Sequence, residues 1–431
     1  MRVTVEDGGP CRKVMRVEVP AQSLASEYQT SVESFARVSR VPGFRRGRAP
    51  ADVVERHYRK QIVDDAKERL VPRFYRAALE QEHLTPVATV GVTDVALGRD
   101  EGCSFKVALD VAPDFKLPKY RKLSVKAEPV EVSDAQVDEA LQGLRTSAAR
   151  YEDVSGRAVQ AGDLVQVDYR GEADGRPVSE LAPDFQGIGE GKGFWVPIGG
   201  PEFLPGLSDG LLGASAGEER EIRVRFPADY RVPAVAGREA VYRAAVKAVR
   251  QRVLPEMDEA FLKRCEVESA DALRARVRAD LTAAAEAREK DRQKAEIALQ
   301  LLKQTEFDLP QTIVEQETRL AVNNIVRRIL MNGMPREKVA EHQEEIVRAA
   351  TATSRERVKL SYVLTRIAEA ENIGVEDDEV SARIEAMARH YQITAERLRS
   401  EIEKQNGIEG LKSEIRQEKA LDNLLEQARV K

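Results

Sequence analysis

The sequence predicts a multidomain α+β protein: a mixed α+β head, an antiparallel β-sheet domain and an all-helical body. Three observations carry this. Of 27 glycines, 23 lie in residues 1–249 and only Gly333, Gly374, Gly407 and Gly410 lie beyond, where the prolines thin to Pro255, Pro310 and Pro335. Glycine and proline are the poorest helix formers, so that tail is free to be almost continuous helix. From Asp163 the apolar spacing drops to two, the period of a half-buried strand. Before both, helical and strand periods alternate within residues 1–112.

In the head, RKVMRVEV at 12–19 reads as a strand, and Leu24, Tyr28, Val32 and Phe35 then recur at helical spacing to build one apolar face. Pro42 and Gly43 end that helix. Pro50 stands where the next should begin, with apolar positions at Val54, Ile62, Leu70, Phe74 and Leu79 and a bend expected at Pro72. CSFKVALDVA at 103–112 closes the head as a strand. Residues 113–150 read as an extended linker. Pro113, Pro118 and Pro129 keep its first part out of helix, and a capping box of Ser133 and Gln136 opens a short helix to about Arg150. The sheet domain occupies 151–249: LVQVDYRG, a hairpin turn at Asp174-Gly175, REIRVRF with Ile222, Val224 and Phe226 on one face, and AVYRAAVKAV. Residues 250–431 are the helical body, all helix over 258–430. Pro310 after Asp308 begins one helix and EDDEV at 376–380 another, acids being favoured at a helix N-terminus.

Sixty-eight Lys and Arg against 73 Asp and Glu leave a net charge of −5. That excludes a generally basic nucleic-acid coat and confines any polyanion contact to a local patch. Cys11, Cys103 and Cys265 are far apart and include no CxxC pair, so neither a disulfide framework nor a zinc knuckle is expected, and a reducing, cytoplasmic compartment fits. His57, His83, His342 and His390 lack metal-ligand spacing. GIGEGKG at 187–193 looks like a phosphate loop, but Gln186 precedes it and Gly193 follows Lys192 where Ser or Thr is required; it is assigned to a flexible sheet connection. No signal peptide is visible and no apolar run approaches a membrane span.

The densest local charge lies at 37–60, where Arg37, Arg40, Arg45, Arg46, Arg48, Arg56, Arg59 and Lys60 face only Asp52 and Glu55. Its centre, GFRRGRAP, sets Phe44 between two glycine-permitted bends with guanidinium groups beside it. A merely solvated turn has no use for a large apolar tip, whereas a tip buried in a partner does, and arginine forks suit phosphate and carboxylate. The loop is expected to dock on an RNA-containing surface.

The run VPGFRRGRAP, between an amphipathic helix and a second helix, resembles the ribosome-docking signature of the trigger factor family, bacterial nascent-chain chaperones. The order of the parts matches over essentially the whole chain. The resemblance implies a ribosome-binding head that meets the large ribosomal subunit, ribosomal protein and rRNA, at the polypeptide exit through Gly43, Phe44, Arg45, Arg46, Gly47, Arg48 and Pro50. It also implies an FKBP-like sheet domain, and a helical chaperone body whose two arms shelter nascent and unfolded polypeptides, with Ile325, Ile329, Met331 and Met334 as client-binding candidates. Methionine suits that task because it repacks against unlike partners.

FWVPIGGPEFLPGL at 194–207 is similar to the FKBP segment in which an aromatic strand leads through glycine into a short helix flooring a prolyl pocket. By that likeness the catalytic lining is Tyr169, Val178, Phe194, Phe203, Leu204, Leu207, Tyr230 and Tyr242; the same residues also suit plain sheet core. FKBPs generally carry Phe-Asp where Val178-Ser179 stand here, and Trp where Leu207 stands, so one wall is smaller and a carboxylate is missing. The chemistry needs no acid or base. Amide resonance sets a barrier of about 18–20 kcal/mol to X-Pro rotation, a twisted amide is less polar than a planar one, and an apolar pocket with a few donors, Tyr230 among them, favours the twisted form.

The expected function is an ATP-independent, ribosome-associated chaperone with peptidyl-prolyl cis-trans isomerase activity, needing no cofactor, nucleotide or metal and no membrane. A homodimer off the ribosome is left open. Two rivals stay open as well: a free soluble prolyl isomerase with a helical client-binding or dimerisation module, and an RNA-binding module with accessory domains.

Overall fold

The computed structural model describes the chain except Ser39, Arg46, Gly47, Arg99, Asp100, Asp184, Gln186, Pro201, Phe203, Asp229, Arg231, Gly333, Pro335, Asn406 and Lys431; of Glu337 and Val430 it describes the backbone alone. The residues form two compact units: Met1–Lys126 with Gln293–Arg328 and Val339–Lys431, and Ala127–Arg292 with Ile329–Lys338.

The first unit begins with β1 (Arg2–Gly9), β2 (Arg12–Val19), α1 (Ala21–Val38), α2 (Ala51–Gln81), β3 (Pro86–Gly98), β4 (Gly102–Val111) and β5 (Ser124–Val125). Strands β1 to β4 make an antiparallel sheet in the order β1-β2-β4-β3. Met15 and Val17 of β2 and Phe105, Val107 and Leu109 of β4 meet Leu24, Tyr28 and Val32 of α1 and Val54, Ile62 and Leu70 of α2 in one core. The sequence reading expects β2 and β4 but not β1 and β3, which lie at the sheet edges. β1 alternates only through Val3 and Val5 before the polar EDGG, and β3 is broken by three register shifts, so neither shows a clean period of two. Pro72 lies inside α2 with helical backbone. Helical backbone in α2 is interrupted instead at Tyr58 (φ −116°, ψ 22°), whose hydroxyl donates to the Arg40 carbonyl at 2.5 Å.

The second unit holds α3 (Asp134–Ser147), β6 (Arg150–Val154), β7 (Leu164–Ala173), β8 (Arg176–Pro177), α4 (Val178–Leu181), β9 (Glu190–Pro197), α5 (Leu207–Leu211), β10 (Glu219–Arg225) and β11 (Glu239–Val253). The Ser133–Gln136 capping box is formed, and the helix stops at Ser147 because Arg150 already opens β6. The six strands make one antiparallel sheet built around β11 and β7: the order is β10-β11-β7-β8, with β6 on the far end of β11 and β9 on β7. Asp174 and Gly175 both have positive φ (51° and 74°), the signature of the hairpin turn expected there. The run at 187–193 is more than a connection, since Glu190–Gly193 are part of β9.

Helices follow: α6 (Glu259–Arg264), α7 (Ala270–Gln304), α8 (Gln311–Met331), α9 (Arg336–Glu341), α10 (Gln343–Ala370), α11 (Asp377–Tyr391), α12 (Ala395–Lys404) and α13 (Ile408–Glu426). In the second unit Val137 and Leu141 of α3 pack on Phe261, Leu262, Leu273 and Val277. In the first, Ile297 and Leu301 of α7 pack on Val363, Leu364 and Ile367 of α10, Ala420 and Leu424 of α13, and Leu123 and Val125 beside them. A short strand, β12 (Arg429–Val430), pairs in parallel with β5. The stretch expected to be helix throughout therefore ends on a strand. Among the described residues no helix is long and apolar enough to cross a membrane.

Candidate functional site

In the head, the chain between α1 and α2 is held at both ends and open in the middle. Val41 is buried, and its carbonyl accepts the Phe44 N–H at 3.1 Å across Gly43, whose φ of +86° suits glycine. Arg48 N–H donates to the Arg45 carbonyl at 2.9 Å, and the Pro50 carbonyl takes the Val53 and Val54 N–H groups to start α2. Between these anchors Phe44 is 44% exposed, with Arg45 and Arg48 exposed beside it. Arg46 and Gly47 lie outside the described residues. Full burial of such a ring by a partner is worth about 1.5–3 kcal/mol.

In the sheet domain, Tyr169, Val178, Leu204, Leu207 and Tyr242 come together in one buried cluster, with Tyr230 packed half-buried against it. Close approach of strands makes this possible. Gly171 lies opposite Tyr242, and Gly191 opposite Tyr169. A Cβ on Gly171 would meet the Tyr242 ring at 2.4 Å, and one on Gly191 the Tyr169 ring at 2.6 Å. Each ring therefore packs close against a neighbouring backbone that only glycine leaves clear. Phe194 stands edge-on to Tyr169 with centroids 5.9 Å apart and remains 41% exposed, and Tyr230 tilts against Phe226 at 4.7 Å. Phe203 lies outside the described residues.

Both tyrosine hydroxyls are committed to backbone: Tyr169 donates to the Gly187 carbonyl, and Tyr242 to the Ile188 carbonyl at 2.5 Å. Burial pushes the Tyr169 hydroxyl up to about 12 and raises Tyr242 further, helped by its neighbours Tyr230 and Tyr169, so both stay protonated donors.

Two polar groups that the sequence reading overlooks position the floor. The Glu202 carboxylate accepts the Gly206 N–H at 2.6 Å and the Ser208 N–H at 3.1 Å, which fixes the start of α5 and with it Leu204 and Leu207. Ser208, buried, takes the Gly199 N–H at 2.9 Å. The only signal available was an acid a few residues ahead of a glycine. The edge of the floor is held by Asp163, buried, whose carboxylate receives Arg157 at 2.6 and 2.9 Å and the Gln160 N–H at 2.8 Å. The Arg157 bonds hold this carboxyl below the usual carboxylate range against the opposing effect of burial.

In the helical region Ile325 and Ile329 are half-buried, Met331 is 81% exposed and Met334 43% exposed. Leu320 on α8 and Val347 on α10 are also exposed.

Comparison with known proteins bears on all three regions. A family model described as bacterial trigger factor protein matches residues 1–144, one described as its C-terminus matches 269–426, and one described as FKBP-type peptidyl-prolyl cis-trans isomerase matches 155–263. Trigger factor of Opitutus terrae is 33% identical over 387 residues, 89% of this chain and 88% of that protein. Trigger factor of Desulforudis audaxviator is 30% identical over 436 residues, covering 100% of this chain and 98% of the other. A solved structure from work on promiscuous substrate recognition by the trigger factor chaperone has a TM-score of 0.52 at 21% identity, covering 99% of each chain, which shows a shared fold. By its head, its FKBP-type isomerase domain and its helical C-terminal region, the chain belongs to the bacterial trigger factor family of chaperones.

Proposed function

We propose that this chaperone and peptidyl-prolyl isomerase works at the ribosome, meeting nascent chains in the cytoplasm as they leave the large subunit. The head, residues 1–112, docks through Gly43, Phe44, Arg45, Arg46, Gly47, Arg48 and Pro50: the guanidinium groups engage rRNA phosphate or protein carboxylate, and Phe44 enters an apolar recess. Residues 113–150 link the head to the isomerase domain, 151–249. Residues 250–431, forming two arms, receive unfolded polypeptide, with Ile325, Ile329, Met331 and Met334 as grips. The prolyl site is lined by Tyr169, Val178, Phe194, Phe203, Leu204, Leu207, Tyr230 and Tyr242. Desolvation of the X-Pro amide there lowers the barrier to rotation.

The observation that carries the docking reading is the exposure of Phe44, an aromatic ring left 44% in water at the apex of a turn whose flanks are hydrogen-bonded. Co-sedimentation with ribosomes tests it. The triple variant Phe44→Ala, Arg45→Ala, Arg46→Ala is expected to lose binding at least tenfold, the scale of removing about 1.4 kcal/mol or more from an interface; a triple variant that binds as tightly as wild type sinks the reading. Preference for naked RNA over intact ribosomes would favour a simple RNA-binding head.

A further inference from the structure

Tyr169 on β7 and Tyr242 on β11 lie side by side, their ring centroids 6.3 Å apart, and their hydroxyls reach two consecutive carbonyls of one turn, Gly187 and Ile188. The next carbonyl, of Gly189, accepts the Gly171 N–H of β7 at 2.8 Å. Three successive carbonyls of the turn are thus held by the β7–β11 floor. The start of α4 also packs closely on it: a Cβ on Gly189 would come within 2.4 Å of the Ser179 nitrogen. The turn leads straight into β9, which carries Phe194, and follows the segment that carries Phe185, 42% exposed. A wall that only needed apolar surface would be served by phenylalanine at both places. Buried hydroxyls need partners, and here both partners belong to the same loop.

We propose that Tyr169 and Tyr242 are positioning residues whose hydroxyls clamp the 187–189 turn, and so hold Phe185 and Phe194 as the rim that grips an Xaa-Pro segment. This rests on the prolyl site assigned above. The rings floor the site, and the hydroxyls set how firmly its rim stays closed.

The test uses the full-length protein with Tyr169→Phe, Tyr242→Phe and both together. Two measurements are needed: peptide-resolved hydrogen exchange over residues 185–194, and protease-coupled isomerisation of a short Xaa-Pro peptide with kcat and KM separated. Exchange over 185–194 is expected to quicken in the double variant while β10 is unchanged. On release of two hydrogen bonds, kcat/KM falls about tenfold, carried mainly by KM, with about threefold for each single variant. A lower thermal midpoint with unchanged KM and unchanged loop exchange means the hydroxyls serve stability alone and overturns the clamp. Leu204→Ala in the same assay separates the two readings. If it leaves kcat/KM untouched, the prolyl site lies elsewhere and the earlier assignment fails; if it lowers kcat/KM while the double hydroxyl variant does not, the site stands and the clamp falls. Should the double variant not fold, the single variants carry the same comparison.

Discussion

Gly191 and Asp110 show how much one side chain decides. Alanine at Gly191 would drive a methyl into the Tyr169 ring at 2.6 Å, and that ring has no room to retreat because it is itself 3% exposed. Gly191→Ala is expected to destabilise the sheet domain by about 1–3 kcal/mol, the usual range for overpacking, with a fall in isomerase activity; urea denaturation of the full chain followed by Trp195 fluorescence measures the first. Asp110, 1% exposed, works differently. Burial disfavours its charge, but the bonds from Arg12 (2.9 Å) and from the Thr312 N–H (3.1 Å) outweigh that and lower its pKa. A carboxyl whose folded pKa is depressed contributes stability above its unfolded pKa, near 3.9, and loses that contribution as pH falls through the folded value. Asp110→Asn is therefore expected to weaken the attachment of the head sheet to α8 by about 1–3 kcal/mol at neutral pH, and to flatten the acid limb of the pH–stability curve below about pH 4. An unchanged acid limb would show that Asp110 is not the group that titrates.

At the scale of elements, the linker divides. Its first part, read from its prolines as extended, belongs to the body core: Phe115 stacks on Phe307 (4.1 Å, 7°), with Arg366 over Phe115 and Lys359 over Phe307. A cation lies against each outer face of the aromatic pair. Phe115→Ala is expected to lose the pairing term of about 0.5–1.5 kcal/mol in addition to the buried area, read as a lower thermal midpoint of the transition that reports the helical region. The second part starts α3 through a capping box legible in Ser133 and Gln136, where Ser133→Ala should remove about 1 kcal/mol. The strands divide in the same way. Strands that bury one face in alternation, β2, β4, β7 and β11 with neighbours on both sides and also the edge strand β10, announce themselves by period. Strands β1 and β3, also at an edge, are interrupted by polar residues and register shifts, and so carry no such signal.

Over the whole molecule, the two compact units have separate cores, the head and the body helices in one and the sheet domain with α3 and α6 in the other. Unfolding in denaturant is accordingly expected to depart from a single two-state transition. Leu109→Ala should shift one phase and Val167→Ala the other, each by about 2–5 kcal/mol or somewhat less for the smaller valine; a single transition moved by both variants would contradict this. Much of the candidate site was readable beforehand. Phe44 and its arginines stood out because a large apolar residue among guanidiniums breaks the composition of a solvated turn. The buried set Tyr169, Val178, Leu204, Leu207 and Tyr242 was found through its likeness to an FKBP segment. What was not readable is what their polar atoms do.

By itself the sequence determined the order of mixed, antiparallel-sheet and helical stretches along the chain, the caps and turns at Ser133 and Asp174-Gly175, and the family. Each of these is written in spacing or motif over a few residues. Tertiary structure alone decided that β1 and β3 complete the head sheet, that Phe115 stacks on a residue nearly two hundred positions away, and that the hydroxyls of Tyr169 and Tyr242 end on adjacent carbonyls of one turn. The physical reason is common to all three: a hydrogen bond or ring contact between distant residues depends on strand register and chain path, and local periodicity records neither.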